Sequence, residues 1–250
     1  MLNPSALPLA PLLRKLEYFG PLNEGDRAAV LALPHTLKTI EPGGYIVREG
    51  DKPTHSCLLQ SGFVFRHKIV ADGARQICAI HMSGDMVDLQ NSLLGTADHN
   101  VQALTLAEVA LVPREAVKAI AFERPAIGMS MWLDTLVDGS IFREWIANVG
   151  RRNARTRVAH LLCEFALRLE AAGLGKHTSY TLPMTQEQLA DCTGLTSVHV
   201  NRTLRGLDAD GVISRTSRSV TVDDWKRLAA EGDFTSGCLH LREDQLGLVR

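Results

Sequence analysis

The sequence predicts an α+β chain with three parts: a small N-terminal β-roll or jelly-roll barrel, a long helix, and a C-terminal helix-turn-helix followed by a β-hairpin. Three observations carry this. From Leu37 to Val112 short runs of strand-forming residues alternate with glycine turn signals, which is the spacing of a small barrel. Residues 126–149, AIGMSMWLDTLVDGSIFREWIANV, form one long apolar-rich segment. Thr185 to Asp208, TQEQLADCTGLTSVHVNRTLRGLD, reads as two short helices joined by a turn of about three residues.

Taken in order, residues 11–33 have helical patterning (LLRKLEYF, then EGDRAAVLAL) with a break at Asn23, Glu24, Gly25 and Asp26. Short strands follow: LKTI, YIV, HSCLLQ, FVFRHKIV and RQICAIHM. The turns between and after them hold Gly43-Gly44, Gly50, Gly62, Gly73 and Gly84, since glycine enters the left-handed backbone region without a Cβ clash. A last strand, Ala107 to Val112, precedes a short helix from Pro113.

In the long segment Leu133, Val137, Ile141 and Trp145 recur every four residues, with Met129, Trp132, Leu136 and Ile146 on their flanks. So wide an apolar arc needs cover on more than one side. The barrel and a second copy of the helix would supply it; the alternative is burial in the core of a monomer. Gly150, Arg151 and Arg152 interrupt this helix, and Asn153 can cap the next, ARTRVAHLLCEFALRLEAAG. Its core stripe is Val158, Leu161, Leu162, Phe165 and Leu169, and Gly173 and Gly175 end it.

Thr185 and Gln188 have capping-box spacing, so the hydroxyl can accept a free backbone N–H while the amide reaches back. Gly194 suits the left-handed end of that helix, and Thr196 offers a new N-cap. In the second helix Val200, Leu204 and Leu207 make a buried stripe, leaving Val198, Asn201, Arg202 and Arg205 on the opposite face. An amide, two guanidinium groups and an apolar methyl pair on one short rod suit base edges and phosphates. The helix alone is equally compatible with an amphipathic surface helix carrying solvated charges. The runs Gly211 to Ile213 and Ser219 to Val222, around a Ser214 to Arg218 tip, read as a hairpin directly after that helix, where Arg215 and Arg218 would lie beside phosphates.

Composition bounds these readings. The 250 residues, 45% hydrophobic, suffice for two cores. No run approaches the roughly 18 uncharged apolar residues of a membrane span, and the opening MLNPSALPLAPLLRKLEYFG lacks the basic-then-apolar order of a secretion signal. A cytoplasmic location without a membrane partner is expected. Net charge is −1, yet residues 1–150 hold 13 basic and 16 acidic residues (−3) and residues 151–250 hold 14 and 12 (+2), in keeping with a local anion-binding patch. Cys57, Cys78, Cys163, Cys192 and Cys238 are scattered without a C-x-x-C pair, as free thiols in a reducing compartment are.

The stretch TQEQLADCTGLTSVHVNRTLRGLDADGVIS resembles the DNA-binding domain of the Crp/Fnr family of bacterial transcription regulators. YIVREGD, LLQSGFV, DGARQICAIHMSGD and ALTLAEVALVP resemble that family's cyclic-nucleotide-binding sensor barrel. The resemblance implies a homodimer on palindromic double-stranded DNA, contact with RNA polymerase, an unidentified small-molecule or redox effector, and a winged helix-turn-helix. Its domains would be a sensor at 1–125, a dimerisation helix and hinge at 126–152, the winged domain at 153–229 and a tail at 230–250. That tail has no clear periodicity and no assigned function.

The resemblance also implies roles for individual residues. Family recognition helices carry Glu near the start and Arg four residues on; here Val198 and Arg202 stand at those places. Ser197 and His199 are expected at phosphates, with Thr185, Thr196 and Arg218 at the flanks. In family members that bind a cyclic nucleotide, Gly-Glu holds the ribose and Arg-Ser or Arg-Thr the phosphate. Gly84-Asp85 matches the first, one methylene short, and His99-Asn100 occupies the loop of the second, with no Lys or Arg from Gln76 to Pro113. An uncompensated buried phosphate is costly, so cyclic AMP is not the expected effector. No cysteine precedes Cys57, against an N-terminal iron–sulfur sensor, and no cofactor or metal site is expected.

Two other classes compete. Asp85 and Asp88 with His81 and His99 could line an enzyme's barrel mouth, but no nucleophile elbow, phosphate loop or metal-spaced set accompanies them. A ligand- or haem-sensing barrel acting without DNA contact, with His55, His67 or His99 as a single haem ligand, would not require the Asn201, Arg202, Arg205 face. Cys78 and His81, three apart on a strand, point to opposite sides.

Overall fold

The computed structural model describes residues 7–242. The described residues divide into two compact units, 7–74 with 78–138 and 75–77 with 139–242.

The first unit opens with α1 (Ala10–Phe19) and α2 (Glu24–Leu31). The break predicted at Asn23–Asp26 is a helix start. Asn23 accepts from the Asp26 N–H while the Asp26 carboxylate accepts from the Asn23 N–H, so the acidic residues lie in the first turn of α2, where the helix dipole favours them. Seven strands follow: β1 (Thr36–Ile40), β2 (Tyr45–Val47), β3 (His55–Ser61), β4 (Val64–Ile69), β5 (Arg75–His81), β6 (Asn100–Ala103) and β7 (Ala107–Pro113). They make two sheets, ordered β1-β7-β3 and β2-β6-β4-β5.

Alternation along β3 and β7 explains their continuous apolar runs. Cys57, Leu59, Ala107 and Val109 join Val47, Val64, Val101 and Ala103 of the other sheet in one core. Leu58, Ala110 and Val112 face the other way, into a second core. There they meet Leu12 and Leu16 of α1, Val30 of α2, Val117 and Ile120 of α3 (Arg114–Glu123), and Ile127 and Met131 of the long helix α4 (Pro125–Arg151). β6 is a strand where a loop is expected at His99-Asn100; Val101 and Ala103 are its only apolar side chains, and pairing with β2 and β4 defines it.

In the second unit α4 runs through Gly150 and stops at Arg151, later than the predicted break. One internal glycine costs a helix only about 1 kcal/mol. The stop comes from Asn153, whose side chain accepts from the Thr156 N–H at 3.0 Å and starts α5 (Ala154–Ala171). α5 is buried far beyond its predicted stripe, His160 and Glu164 included. Around it lie α6 (Gln186–Thr193), α7 (Ser197–Ala209), α8 (Trp225–Glu231) and a sheet ordered β8-β10-β9, from Ser179–Thr181, Ser219–Val222 and Ile213–Thr216. β8 has only three residues, too few to show a period in the sequence. It is fixed by Tyr180, which is buried, pairs with Val220 and donates its hydroxyl to the Leu162 carbonyl at 3.2 Å.

Candidate nucleic-acid interface and barrel interior

The α6–α7 pair is built as its sequence requires. Thr185 Oγ1 accepts from the Gln188 N–H at 3.2 Å, and Gln188 Oε1 accepts from the Thr185 N–H at 2.8 Å. Gly194 ends α6 at φ +62°, a backbone region that a β-carbon would strain. Thr196 caps α7, accepting from the His199 N–H. Val200, Leu204 and Leu207 are fully buried, each worth about 1.5–3 kcal/mol over exposure, and they set which way α7 faces.

What faces out is Ser197, Val198, His199, Arg202 and Arg205, with Asn201 half-buried. Val198 is 72% exposed, an apolar side chain at a helix start with no core to enter. Among the described residues the Arg202 and Arg205 guanidinium groups have no hydrogen bond or ion pair. Several other arginines of this unit are committed to partners within it. Arg155 binds Glu231 (2.5 Å) and Asp210 (2.7 Å), Arg157 donates to the carbonyls of Arg152 and Thr193, and Arg227 to that of Asp210.

The hairpin is tighter than predicted. Strand pairing reaches Thr216 and Ser219, so the turn is Ser217-Arg218, with Ser217 at φ 55°. Arg218 is exposed at its tip, and Arg215 is half-buried opposite Val220.

In the barrel unit the residues expected to face an effector are used internally. Asp85 is buried. It accepts from Lys15 Nζ of α1 at 2.7 Å and from the Met82 N–H at 3.1 Å, with His81 Nδ1 at 3.5 Å. Gly84, at φ +99°, turns the chain into it. His99 Nδ1 meets Asp98 at 2.5 Å and its Nε2 meets the Gln90 amide at 3.2 Å. Asn100 is the first residue of β6 and accepts from the Glu49 N–H at 3.1 Å. Gly84, Asp85, His99 and Asn100 are thus a set of internally bonded groups.

A buried cation is present, outside the stretch from Gln76 to Pro113. Arg66 of β4, 5% exposed, donates to Asp138 of α4 at 2.9 Å and to the Val87 carbonyl at 2.9 Å. Asp134, one turn earlier on α4, lies 3.4 Å from Lys15. Asp88 is fully buried; Oδ1 accepts from the Cys57 N–H at 2.7 Å while Oδ2 has no partner. Burial pushes its carboxyl up to about 7, against the pull of the Cys57 N–H and of Arg66. Burial holds the His81 and His99 imidazoles below the ordinary histidine range, and Arg66 adds to this. The available signal was Asp134 and Asp138, two acids four apart in an apolar helix, which call for cations on whatever packs against them.

His67 is buried between the rings of Tyr45 and Phe65 (centroids at 6.1 and 5.3 Å), and His55 is exposed beside Thr54. Among the described residues no three His, Cys, Asp or Glu side chains are grouped to hold a metal ion, and no helix is long and apolar enough to cross a membrane.

Comparison with known proteins bears on both units. Residues 156–231 match the Crp-like helix-turn-helix domain, and residues 37–124 the cyclic nucleotide-binding domain. The transcriptional activator protein FnrL of Cereibacter sphaeroides is 28% identical over 221 residues, covering 86% of this chain and 88% of that one. The nitrogen fixation regulation protein FixK of Azorhizobium caulinodans is 30% identical over 165 residues, 66% of each. The solved structure of FixK2 from Bradyrhizobium japonicum superposes with a TM-score of 0.73 at 24% identity, over 81% of this chain and all (100%) of that one.

Proposed function

The chain belongs to the Crp/Fnr family of DNA-binding transcription regulators, and we propose that it binds a two-fold symmetric operator as a homodimer, with α7 as its reading head. It is a regulator and not an enzyme. The observation that carries the reading is the outer face of α7, where Arg202 and Arg205 project into solvent beside the exposed Val198 from a helix seated by the buried Val200, Leu204 and Leu207.

Arg202 makes the bidentate contact to guanine O6 and N7. Val198 packs on a thymine methyl, so the half-site departs from the usual family sequence at that position. Asn201 and Arg205 lie along the same groove. Ser197, His199, Thr185, Thr196 and Arg218 hold phosphates and fix the register. The domains are a sensor at 1–125, dimerisation helix and hinge at 126–152, winged domain at 153–229 and tail at 230–250. The protein works in the cytoplasm, with RNA polymerase as its protein partner.

Dimerisation uses α4. Met129, Trp132, Leu136 and Ile146 are 52–68% exposed along it in the single chain, and isologous pairing of that face places two copies of α7 about 34 Å, one DNA turn, apart. The effector is not a cyclic nucleotide, because Asp85 and Arg66 already hold Lys15 and Asp138.

Recovery of DNA bound across the genome, with light scattering of the purified protein, tests this reading. Twice 27.3 kDa and an inverted-repeat motif are expected; a monomer that binds DNA tightly without any repeat would overturn it.

A further inference from the structure

The family match ends at residue 231, yet the chain continues in ordered contact with the second unit. Gly232 packs against α5 so closely that a β-carbon there would lie 2.8 Å from the His160 nitrogen and 3.0 Å from the Ala159 carbonyl carbon. Its own carbonyl meets His160 Nδ1 at 3.0 Å. Asp233, at φ 46°, takes a fork from Arg152: Nε at 3.2 Å and Nη2 at 3.1 Å to Oδ2, with Nη2 also 3.2 Å from its carbonyl. The remaining nitrogen of Arg152, Nη1, pairs with Glu144 of α4 at 2.6 Å.

Phe234 and Leu239 are buried, Phe234 against the rings of His160 (5.1 Å) and Trp225 (6.5 Å). At the far end His240 Nε2 lies 3.3 Å from Ser140 Oγ of α4. This segment therefore touches α4 at Ser140, the two-residue junction at Arg152, and α5 at His160.

We propose that residues 232–240 are a clasp that holds the α4–α5 junction at one angle and so fixes the direction in which α7 is presented from the end of the long helix. The junction itself is only Arg152 and Asn153. Arg152 is its pin, since one guanidinium spans Glu144 before the junction and Asp233 after α8. The latch is weak by design: Asp233 is 77% exposed, so water and salt reach the pair. Its opening frees the junction without unfolding either helix.

The consequence for DNA rests on the two-fold reading above. A held junction tolerates one spacing of half-sites, and a freed one tolerates several. Asp233→Gly keeps the left-handed backbone and removes the carboxylate; Asp233→Asn keeps both the backbone preference and an acceptor oxygen.

Amide hydrogen exchange on the full chain should show residues 147–151 exchanging roughly tenfold faster in Asp233→Gly, with α6 and α7 unchanged, the melting temperature nearly unchanged, and protection restored in Asp233→Asn. On duplexes carrying two copies of the recovered half-site, moving them apart by one base pair should weaken wild-type binding roughly tenfold and Asp233→Gly no more than about threefold. Unchanged exchange at 147–151 in Asp233→Gly would overturn the clasp. A wild type indifferent to spacing would instead overturn the two-fold reading, and the exchange data would still decide the clasp.

Discussion

Helix α7 and the barrel interior treat charge in opposite ways. On α7 Arg202 and Arg205 stand in solvent with no acidic partner, whereas in the barrel Arg66, Lys15, Asp85, Asp134 and Asp138 are drawn into ion pairs across three elements. An exposed arginine is hydrated and costs little to leave unpaired, so a surface meant for phosphates can wait for them. A buried charge cannot wait, because its desolvation has to be offset inside the fold. The two regions differ in where their charge is compensated: that of α7 is left to solvent, and that of the barrel is met largely within the fold.

The largest test of that contrast is Asp88, a fully buried carboxylate with one oxygen left unbonded. Its folded-state carboxyl titrates at about 7 against an ordinary value of 3.8, so the folded protein holds a proton that the unfolded chain has lost between those limits. Stability from this group is full below pH 4 and falls as pH rises toward 7, by roughly 4 kcal/mol in all. Asp88→Asn, which keeps an acceptor for the Cys57 N–H, should flatten that slope and raise stability above pH 7 in denaturant titrations. A variant whose slope matches the wild type would mean that Asp88 is ionised and its partner lies elsewhere.

On the other side of the comparison, Arg202→Ala should cost about 1–3 kcal/mol of discrimination at one base pair per half-site and leave the melting temperature within error, since nothing in the fold leans on it. Arg218→Ala should weaken all sequences alike and reduce the salt slope by about 1. Binding selections on both variants separate reading from anchoring. If Arg202→Ala left affinity and preference intact, α7 would not be the reading head.

The smallest expected signal is calorimetric. Titration with cyclic AMP or cyclic GMP should give no heat of micromolar binding, because a phosphate entering the barrel must displace Asp138 from Arg66 or Asp85 from Lys15. Micromolar heat from either nucleotide would show that those pairs open readily and that the interior is a nucleotide site after all.

Local rules in the sequence determined the α6–α7 pair almost completely. The Thr185–Gln188 box, the Gly194 stop, the Thr196 cap and the Val200, Leu204, Leu207 stripe depend on neighbours within four residues, and together they dictate that Val198, Arg202 and Arg205 face out. Short strands were read wherever glycines punctuated them, and were lost at β6 and β8, which exist through their partners. Only tertiary structure decided the charge network of the barrel. Arg66 meets Asp138 from 72 residues away and Lys15 meets Asp85 from 70. No local pattern encodes such pairs, because a buried charge is compensated by whatever the packing of distant elements brings to it. The same holds for the segment after α8: its sequence has no period, and its role follows from the helices on which it closes.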